Sequence, residues 1–185
     1  MQKFLIIVLA VAILCALGIV SIYNSIITKN ENVKAKWAQI ENQLQRRNDL
    51  IPNLVNTVKG YAVHEKNLFT DITRLRTQWA QSTNVDDKLK AAQGMDAALS
   101  RLIAVAENYP NLKANQNFLA LQDELSGTEN RIAVERMRYN QAVKEYNITV
   151  RTFPGNLIAK KFGYKPATEY FKAEEKAKLV PEVKF

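Results

Sequence analysis

The sequence is almost without cysteine and histidine, since Cys15 and His64 are the only residues of either type. A disulfide framework is therefore excluded, and a zinc site made of nitrogen and sulfur atoms lacks ligands. His64-Glu65 begins like the metal-binding helix of a zinc protease, but Leu68 occupies the position of the second histidine. A Ser–His–carboxylate triad would also have to use His64. We therefore expect no metal, no cofactor and no catalytic residue, and we do not expect an enzyme.

Glycine and proline are also scarce, with six and five residues among 185. Glycine-rich phosphate loops are absent, and so few turn-forming residues between long periodic stretches indicate an all-α fold. The chain has 26 basic and 18 acidic residues, a net charge of +8. These charges are spread along the helices and mixed in sign, whereas nucleic-acid-binding proteins usually cluster basic residues on one face. We expect a solvated surface and no nucleic-acid partner.

One long hydrophobic run, residues 4–23, contains no charged residue. Twenty apolar residues suffice to cross the hydrocarbon core of a bilayer. A cleaved signal peptide is the alternative, because an Ala-x-Ala site lies at Ala10, but the apolar run continues well beyond it. We therefore predict an N-terminal transmembrane anchor in residues 1–28 that contacts the bilayer through residues 4–23. More lysines follow the run than precede it, which favours a cytoplasmic C-terminal domain by a small margin and leaves the side open.

A heptad pattern of apolar residues extends from Val33 to Trp79 in alternating steps of four and three, and only Arg47 and Glu65 interrupt it with polar side chains. Such a pattern predicts one long helix, over residues 29–80, that packs lengthwise on other helices. Pro52 is expected to kink this helix without breaking it.

Two further long helices and one short helix are predicted after it. Asn84 can cap the start of the second predicted helix, and Pro110 ends that helix. The short fourth helix is predicted over residues 156–162 and ends at Gly163. The predicted fold is an all-α, elongated antiparallel helical bundle of three long helices plus a short fourth, with an N-terminal transmembrane helix. We assign the bundle to residues 29–164 and a tail to residues 165–185. The apolar residues expected to dock this tail on the bundle are Tyr170, Phe171, Leu179 and Val183.

Several stretches resemble blocks that are characteristic of the LemA family. They are residues 43–55, 58–62 and 64–65 in the first helix, 107–114, 121–125 and 128–133, the dipeptides Tyr139-Asn140 and Tyr146-Asn147, and Phe153-Pro154 with Asn156 and Ala159. The resemblance covers the chain from about Tyr23 to its end, with Glu135 as a mild departure at a position where a small residue is expected. It implies a bacterial single-pass membrane protein with an elongated helical bundle, and it attaches no activity, cofactor or catalytic residue to the motif.

The polar residues within the apolar stripes can be interpreted in two ways. Their charged ends reach water while their stems pack, or they pair between helices and fix the register. If the first two helices rise equally from a turn at Ser82, Glu65 lies level with Ser100. Arg101 is then a candidate partner for Glu65.

The same estimate of height predicts that the second helix ends level with Leu54 and Val55. The membrane-proximal stripe of the first helix would then lack a partner helix in its own chain, and the tail, the bilayer surface or a second copy would have to cover it. Because an anchor confines copies to one plane, we expect lateral self-association into a homo-oligomer. The predicted self-association seam consists of Val33, Trp37, Ile40, Leu44 and Ile51.

These expectations describe a membrane-anchored, non-enzymatic scaffold or interaction protein of the bacterial envelope, located at the cytoplasmic (inner) membrane. The alternative is an adaptor or regulator of another membrane protein, such as a protease or a signalling receptor. The expected partners are the lipid bilayer, further copies of the chain and other membrane proteins.

Overall fold

The structure is a computed structural model that describes residues 1–62, 64–167 and 170–171. Within these residues it is helical and contains no strand, as the sequence predicts. The helices are α1 (Gln2–Lys59), α2 (Lys66–Gln81), α3 (Val85–Ala106), α4 (Pro110–Lys113), α5 (Gln116–Arg151) and α6 (Gly155–Phe162).

The chain folds into two compact units whose boundaries fall inside α1 and α5. The central unit is Glu41–Ala133, and the terminal unit combines Met1–Ile40 with Val134–Phe185. The two long helices therefore contribute residues to both units. The predicted domain boundaries at residues 28 and 164 describe a different division, based on the membrane anchor and the tail, and stay predictions.

Helix α1 contains the hydrophobic run and continues without interruption through Pro52 to Lys59. By length and composition it could cross a membrane. Other described parts of the chain do not cover its apolar segment, and residues 4–20 are exposed. Such a surface has no favourable interaction with water, so α1 contains a candidate membrane span.

The prediction of one helix over residues 29–80 is wrong, because α1 ends at Lys59 and α2 begins at Lys66. At the break, the backbone N–H groups of Tyr61 and Ala62 both donate to the carbonyl of Val58, at 2.9 Å each. Gly60 is a poor helix former and favours such an end. The heptad pattern continues across the break because α2 buries its own apolar face, at Phe69 and Ile72, in the same core as Val58.

The core of the central unit is built from the end of α1 together with α2, α3, α4 and the start of α5. Helices α2 and α3 lie so close that a Cβ atom added to Gly94 would come within 2.7 Å of the Leu75 side chain. The predicted cap of the second helix is confirmed, since the Asn84 side chain accepts a 2.8 Å hydrogen bond from the backbone of Asp87. The fully buried side chains of this core include Leu54, Val58, Ile72, Leu102 and Leu112.

The core of the terminal unit packs α1, the last turns of α5 and α6 around Ile26. Gly155 permits this packing, because a Cβ atom there would lie 2.1 Å from the carbonyl oxygen of Thr149. The predicted fourth helix is confirmed, and Gly163 ends it in the left-handed conformation with φ of 79°. The residues that share this core with Ile26 are Tyr146, Val150, Ile158 and Ala159.

Candidate functional site

The part of the chain that the structure describes holds no group of three or more His, Cys, Asp or Glu residues placed to bind a metal ion. Cys15 lies exposed within the apolar half of α1, and His64 is exposed in the break between α1 and α2. Neither residue belongs to a group of this kind. The polar chemistry of the described residues lies instead in contacts between helices.

Arg47 is the centre of a charged cluster in the central unit. Its Nη1 lies 2.5 Å from Oδ1 of Asp96 and 2.7 Å from Oε2 of Glu129, and its side chain is only 11% exposed. These three residues belong to α1, α3 and α5, so one guanidinium joins three helices. The interpretation that polar residues within the stripes pair between helices holds for Arg47. A desolvated guanidinium between two carboxylates fixes the register of the helices around it.

A second ion pair between helices flanks this cluster. Arg46 Nη2 lies 2.7 Å from Oε1 of Glu124, and Arg131 Nη2 lies 3.1 Å from the same oxygen. The hydrogen bond from Arg46 is the main reason why the pKa of Glu124 is below its ordinary value. Lys88 and Glu41 form a third such pair. The central unit thus joins its helices through several charge-assisted contacts.

A small cavity adjoins Arg47 and Trp79, and its walls come from α1, α2 and α3. Its volume is about 20 Å³, enough for a water molecule. Pockets that hold cofactors and other small ligands are at least ten times larger. The charged cluster is therefore a structural junction and not the opening of a ligand pocket.

The terminal unit contains a different kind of polar site, which we call the tail clamp. Asn140 and Asn147, seven residues apart on α5, each bind the backbone of the segment after α6 through both amide atoms. Asn147 donates to the carbonyl of Ala167 and accepts from its N–H, each at 2.8 Å. Asn140 makes the same pair of bonds with Phe171, each at 2.9 Å. Asn147 also donates to the Tyr170 hydroxyl, at 3.1 Å. The clamp therefore holds the tail mainly through its backbone atoms.

Aromatic packing closes over the clamp. The ring of Phe171 lies 6.0 Å from that of Trp37 and 5.4 Å from that of Tyr139, and the guanidinium of Arg136 lies 5.4 Å from its centre. Tyr146 donates a hydrogen bond of 2.9 Å from its hydroxyl to the carbonyl of Lys165. Burial raises the pKa of Tyr146, because its ionised form would lose solvation.

The predicted self-association seam has partners within its own chain, so the premise that it lacks them is wrong. Ile40, Leu44 and Ile51 are 0%, 4% and 2% exposed. Trp37 packs on Tyr139 and Phe171, which corresponds to the alternative that the tail covers the stripe. Val33 is partly buried against the core of the terminal unit. The estimate of height failed because it placed residues 29–80 in one helix and gave α2 no separate position.

The predicted pair of Glu65 and Arg101 is not formed among the described residues. Glu65 lies in the break before α2, where its backbone carbonyl accepts from the N–H of Phe69 at 3.2 Å, and Arg101 is exposed on α3. The break removes Glu65 from the helical stripe on which the prediction depended. Two polar residues on the apolar stripe of α5 are satisfied within that helix: the Thr128 hydroxyl donates to the carbonyl of Leu125, and Glu135 pairs with Arg138 at 2.6 Å.

The amides of the tail clamp were missed as functional residues. Both were visible in the sequence as the second members of Tyr139-Asn140 and Tyr146-Asn147, seven residues apart. A polar amide repeated beside a core tyrosine at heptad spacing lies on one helix face, next to the buried stripe. That signal predicts two amides with a common partner, although it does not identify the partner.

The chain spans about 64% of the length of the curated relatives it matches. Magnetosome protein MamQ 2 of Paramagnetospirillum magneticum is 30% identical over 175 residues, which cover 80% of this chain. Magnetosome protein MamQ of Magnetospirillum gryphiswaldense is 26% identical over the same length, and Protein LemA of Metamycoplasma hominis is 25% identical over 142 residues, or 75% of this chain.

Neither the family description nor the relatives' names denote an enzyme. The family model for the LemA family matches residues 36–185 and thus includes the Arg47 cluster, the tail clamp and α6. Because this match covers most of the chain, the protein belongs to the LemA family.

Proposed function

We propose that the protein is a membrane-anchored, non-enzymatic scaffold or interaction protein of the bacterial envelope. The observation that supports it most directly is the contrast within α1. Its first part, residues 4–20, exposes a continuous apolar surface, while its later part contributes Leu54 and Val58 to a packed core. A single helix of this kind holds a folded domain at a membrane surface.

The anchor can be tested on the full chain expressed in a bacterium. We expect the protein in the membrane fraction after carbonate washing, with an intact mass of 21.0 kDa. A variant with Leu9→Glu and Ile13→Glu should move to the soluble fraction, because two carboxylates in the span are costly to insert. As a control, Leu119→Glu changes an exposed leucine of α5 and should leave the fractionation unchanged. A mature protein that lacks the apolar run would contradict the anchor and indicate a cleaved signal.

Self-association is the finer part of the proposal, and it needs a surface that the folded chain leaves open. A Trp37→Glu, Leu44→Glu variant would disrupt internal packing, so it cannot test an interface. Within the span, Ala12 and Ala16 are four residues apart and allow close packing of two anchors. We expect Ala12→Leu, Ala16→Leu to reduce the mass of the detergent-solubilised protein in light scattering. Leu14→Ile, on the other side of the helix, is the matched control. An unchanged mass in the Ala12→Leu, Ala16→Leu variant would contradict association through the anchor.

The adaptor alternative is favoured by the tail clamp. Four of the hydrogen bonds of Asn140 and Asn147 go to backbone atoms of the tail, and the backbone of another protein segment offers the same groups. This alternative would be favoured if the protein is monomeric in detergent and its mass is the same in the Ala12→Leu, Ala16→Leu variant and in the Leu14→Ile control. Crosslinking in native membranes, from a photoreactive residue in place of Met137 on α5, would then identify the neighbour; Met137 is 66% exposed.

A further inference from the structure

Outside the apolar run of α1, exposed apolar side chains cluster in the turn between α5 and α6 and on α6 itself. Phe153 is 79% exposed, Leu157 60% and Phe162 50%. A single exposed apolar residue is ordinary on any protein surface, but two exposed phenylalanines and an exposed leucine within ten residues are an unusual concentration. We call these three residues the apolar patch.

This patch lies beside the end of the hydrophobic run. The ring of Tyr23, the last residue of that run, lies 4.6 Å from the ring of Phe162. Ile22 comes within 3.9 Å of a Cβ atom built on Gly155, and Ile26 shares a core cluster with Ile158. Helix α6 is therefore held at the level where α1 would leave the hydrocarbon, within the same compact unit.

The charge around the patch differs from that of the rest of the chain. Residues 146–168 contain no Asp or Glu, although elsewhere basic and acidic residues are mixed. Leu157, Lys160 and Lys161 are spaced to share one face of α6, and all three are exposed. The basic residues of the stretch are Arg151, Lys160, Lys161 and Lys165, and each is exposed.

We infer that α6 and the turn before it form a second membrane contact, in addition to the span in α1. Phe153, Leu157 and Phe162 enter the boundary between headgroups and acyl chains, and the surrounding lysines bind the phosphates of anionic lipids. Apolar aromatic side chains with flanking basic residues are the usual composition of such interfacial segments. This inference rests on the proposed anchoring, because the end of the span sets the depth of α6. A contact at two points would restrict rotation of the terminal unit about its anchor.

The test uses the full-length protein reconstituted into vesicles of phosphatidylcholine and phosphatidylglycerol. A nitroxide is attached at residue 157 in a Cys15→Ala, Leu157→Cys variant, and the matched control is Cys15→Ala, Leu119→Cys, also an exposed leucine. Power saturation compares accessibility to oxygen, which partitions into lipid, with accessibility to a water-soluble nickel chelate. We expect the oxygen-to-nickel ratio to be several-fold higher at residue 157 than at residue 119.

The basic residues are tested by adding Lys160→Gln and Lys161→Gln to the labelled protein. We expect each substitution to weaken the interfacial equilibrium about fivefold, so that the ratio at residue 157 falls. The ratio at residue 157 should fall in the same way when the labelled protein, with both lysines kept, is placed in vesicles of phosphatidylcholine alone. A ratio that responds to neither change would overturn the role of anionic lipid.

Other outcomes would overturn the membrane contact itself. A label at residue 157 that nickel reaches as easily as at residue 119 would mean that α6 faces water. Shielding from both reagents would mean that a protein, such as a second copy, covers the patch. The native Cys15, labelled in the unaltered chain, separates these failures from failure of the anchor. Lipid exposure at Cys15 with water at residue 157 rejects only this inference, whereas nickel access at Cys15 rejects the proposed anchoring.

Discussion

The two compact units join their helices by different chemistry. In the central unit, ion pairs cross between helices: Arg46 with Glu124, and Arg47 with both Asp96 and Glu129. In the described residues of the terminal unit, the ion pairs lie within one helix. The contacts between its elements include hydrogen bonds from Asn and Tyr side chains, packed rings and the cation–π contact of Arg136 with Phe171. The one charged donor between helices there is Lys29, which binds the Thr149 hydroxyl at 2.7 Å.

This difference has a physical consequence for how each unit responds to change. A partly buried ion pair is costly to break by removing one partner, because the remaining charge stays desolvated. An uncharged contact loses less, and its cost is set by hydrogen bonds and by volume. The central unit should therefore be sensitive to loss of a charge, to acid and to salt. The terminal unit should be sensitive to shape and to the amides of the tail clamp.

The largest effect is expected from Arg47→Ala. It leaves Asp96 and Glu129 facing each other without their common cation, and their side chains are 26% and 46% exposed. Loss of a fully buried partner costs about 3–5 kcal/mol. With the exposure of both carboxylates we expect about 2–3 kcal/mol, measured by denaturant unfolding in detergent.

Arg46→Ala is the matched control, since the Arg46 side chain is 61% exposed. It should cost less than about 1 kcal/mol. Hydrogen exchange can locate both effects, and we expect Arg47→Ala to lower protection in residues 41–133 and to spare the terminal unit. Equal loss of protection throughout would show that the two units unfold together, and the comparison between them would fail.

The next effect concerns shape in the terminal unit and is tested by Gly155→Ala. The added methyl group would lie 2.1 Å from the Thr149 carbonyl oxygen, so the backbone must move. We expect a loss of about 1–3 kcal/mol, typical of overpacking in a core. The thermal midpoint of the detergent-solubilised protein measures it.

Gly127→Ala in α5 gives the opposite expectation and serves as the control. A Cβ atom at Gly127 meets only the flexible Arg131 side chain, at 3.4 Å. Alanine is the better helix former by about 1 kcal/mol, so this variant should raise the thermal midpoint. If both variants lowered the midpoint equally, the close approach at Gly155 would not be the cause.

A smaller effect is expected from Asn147→Ala, which removes both bonds to Ala167 and one to the Tyr170 hydroxyl. Hydrogen bonds of this kind contribute about 1 kcal/mol each, and the freed backbone of the tail can turn to water. We expect a modest change in the unfolding midpoint and a clear increase in protease cleavage after α6. Gln141→Ala, on an exposed position of the same helix, should leave the cleavage rate unchanged. Unchanged cleavage in Asn147→Ala would reject the clamp.

The sequence predicts the helices well because their signals are local. Asn84 caps α3, Gly163 ends α6, and the apolar run lies in one uninterrupted helix, as expected from residue type and spacing alone. The break at Gly60 is missed, because the heptad phase of α2 matches that of α1 and a continuous stripe looks like a continuous helix. Periodicity reports which residues are buried and does not report whether the backbone between them is continuous.

The sites are predicted less well, because they depend on which helices meet. Arg47 was visible as a polar interruption, and its partners Asp96 and Glu129 were not, since they lie on other helices at distances that no spacing rule gives. The partner assigned to Glu65 depended on a continuous first helix, and the break before α2 removes that premise. The tail clamp joins two parts of the chain through backbone atoms, which carry no sequence signal on the tail side.

The smallest expected effect is a difference between the two units in how their stability depends on pH. The pKa of Glu124 is lowered from 4.5 mainly by its hydrogen bond with Arg46. The folded state thus binds this proton less tightly than the unfolded state does, so the stabilisation is present above pH 4.5 and is lost as the pH falls through the lower folded value. Burial of Tyr146 makes stability depend on pH in the opposite direction. Because burial raises the pKa of Tyr146 from 10.0, stability declines as the pH rises above that value.

Thermal unfolding across the acid and alkaline ranges should therefore show two losses with different origins. Glu124→Gln should flatten the acid loss and leave the alkaline loss unchanged, while Tyr146→Phe should do the reverse. Because Glu124 lies at the surface, concentrated salt should also reduce the acid effect, whereas the buried phenol of Tyr146 should respond little to salt. If Glu124→Gln changed the alkaline loss as well, charge in the central unit would influence the terminal unit. The difference between a unit joined by ion pairs and a unit joined mainly by uncharged contacts would then not extend to stability.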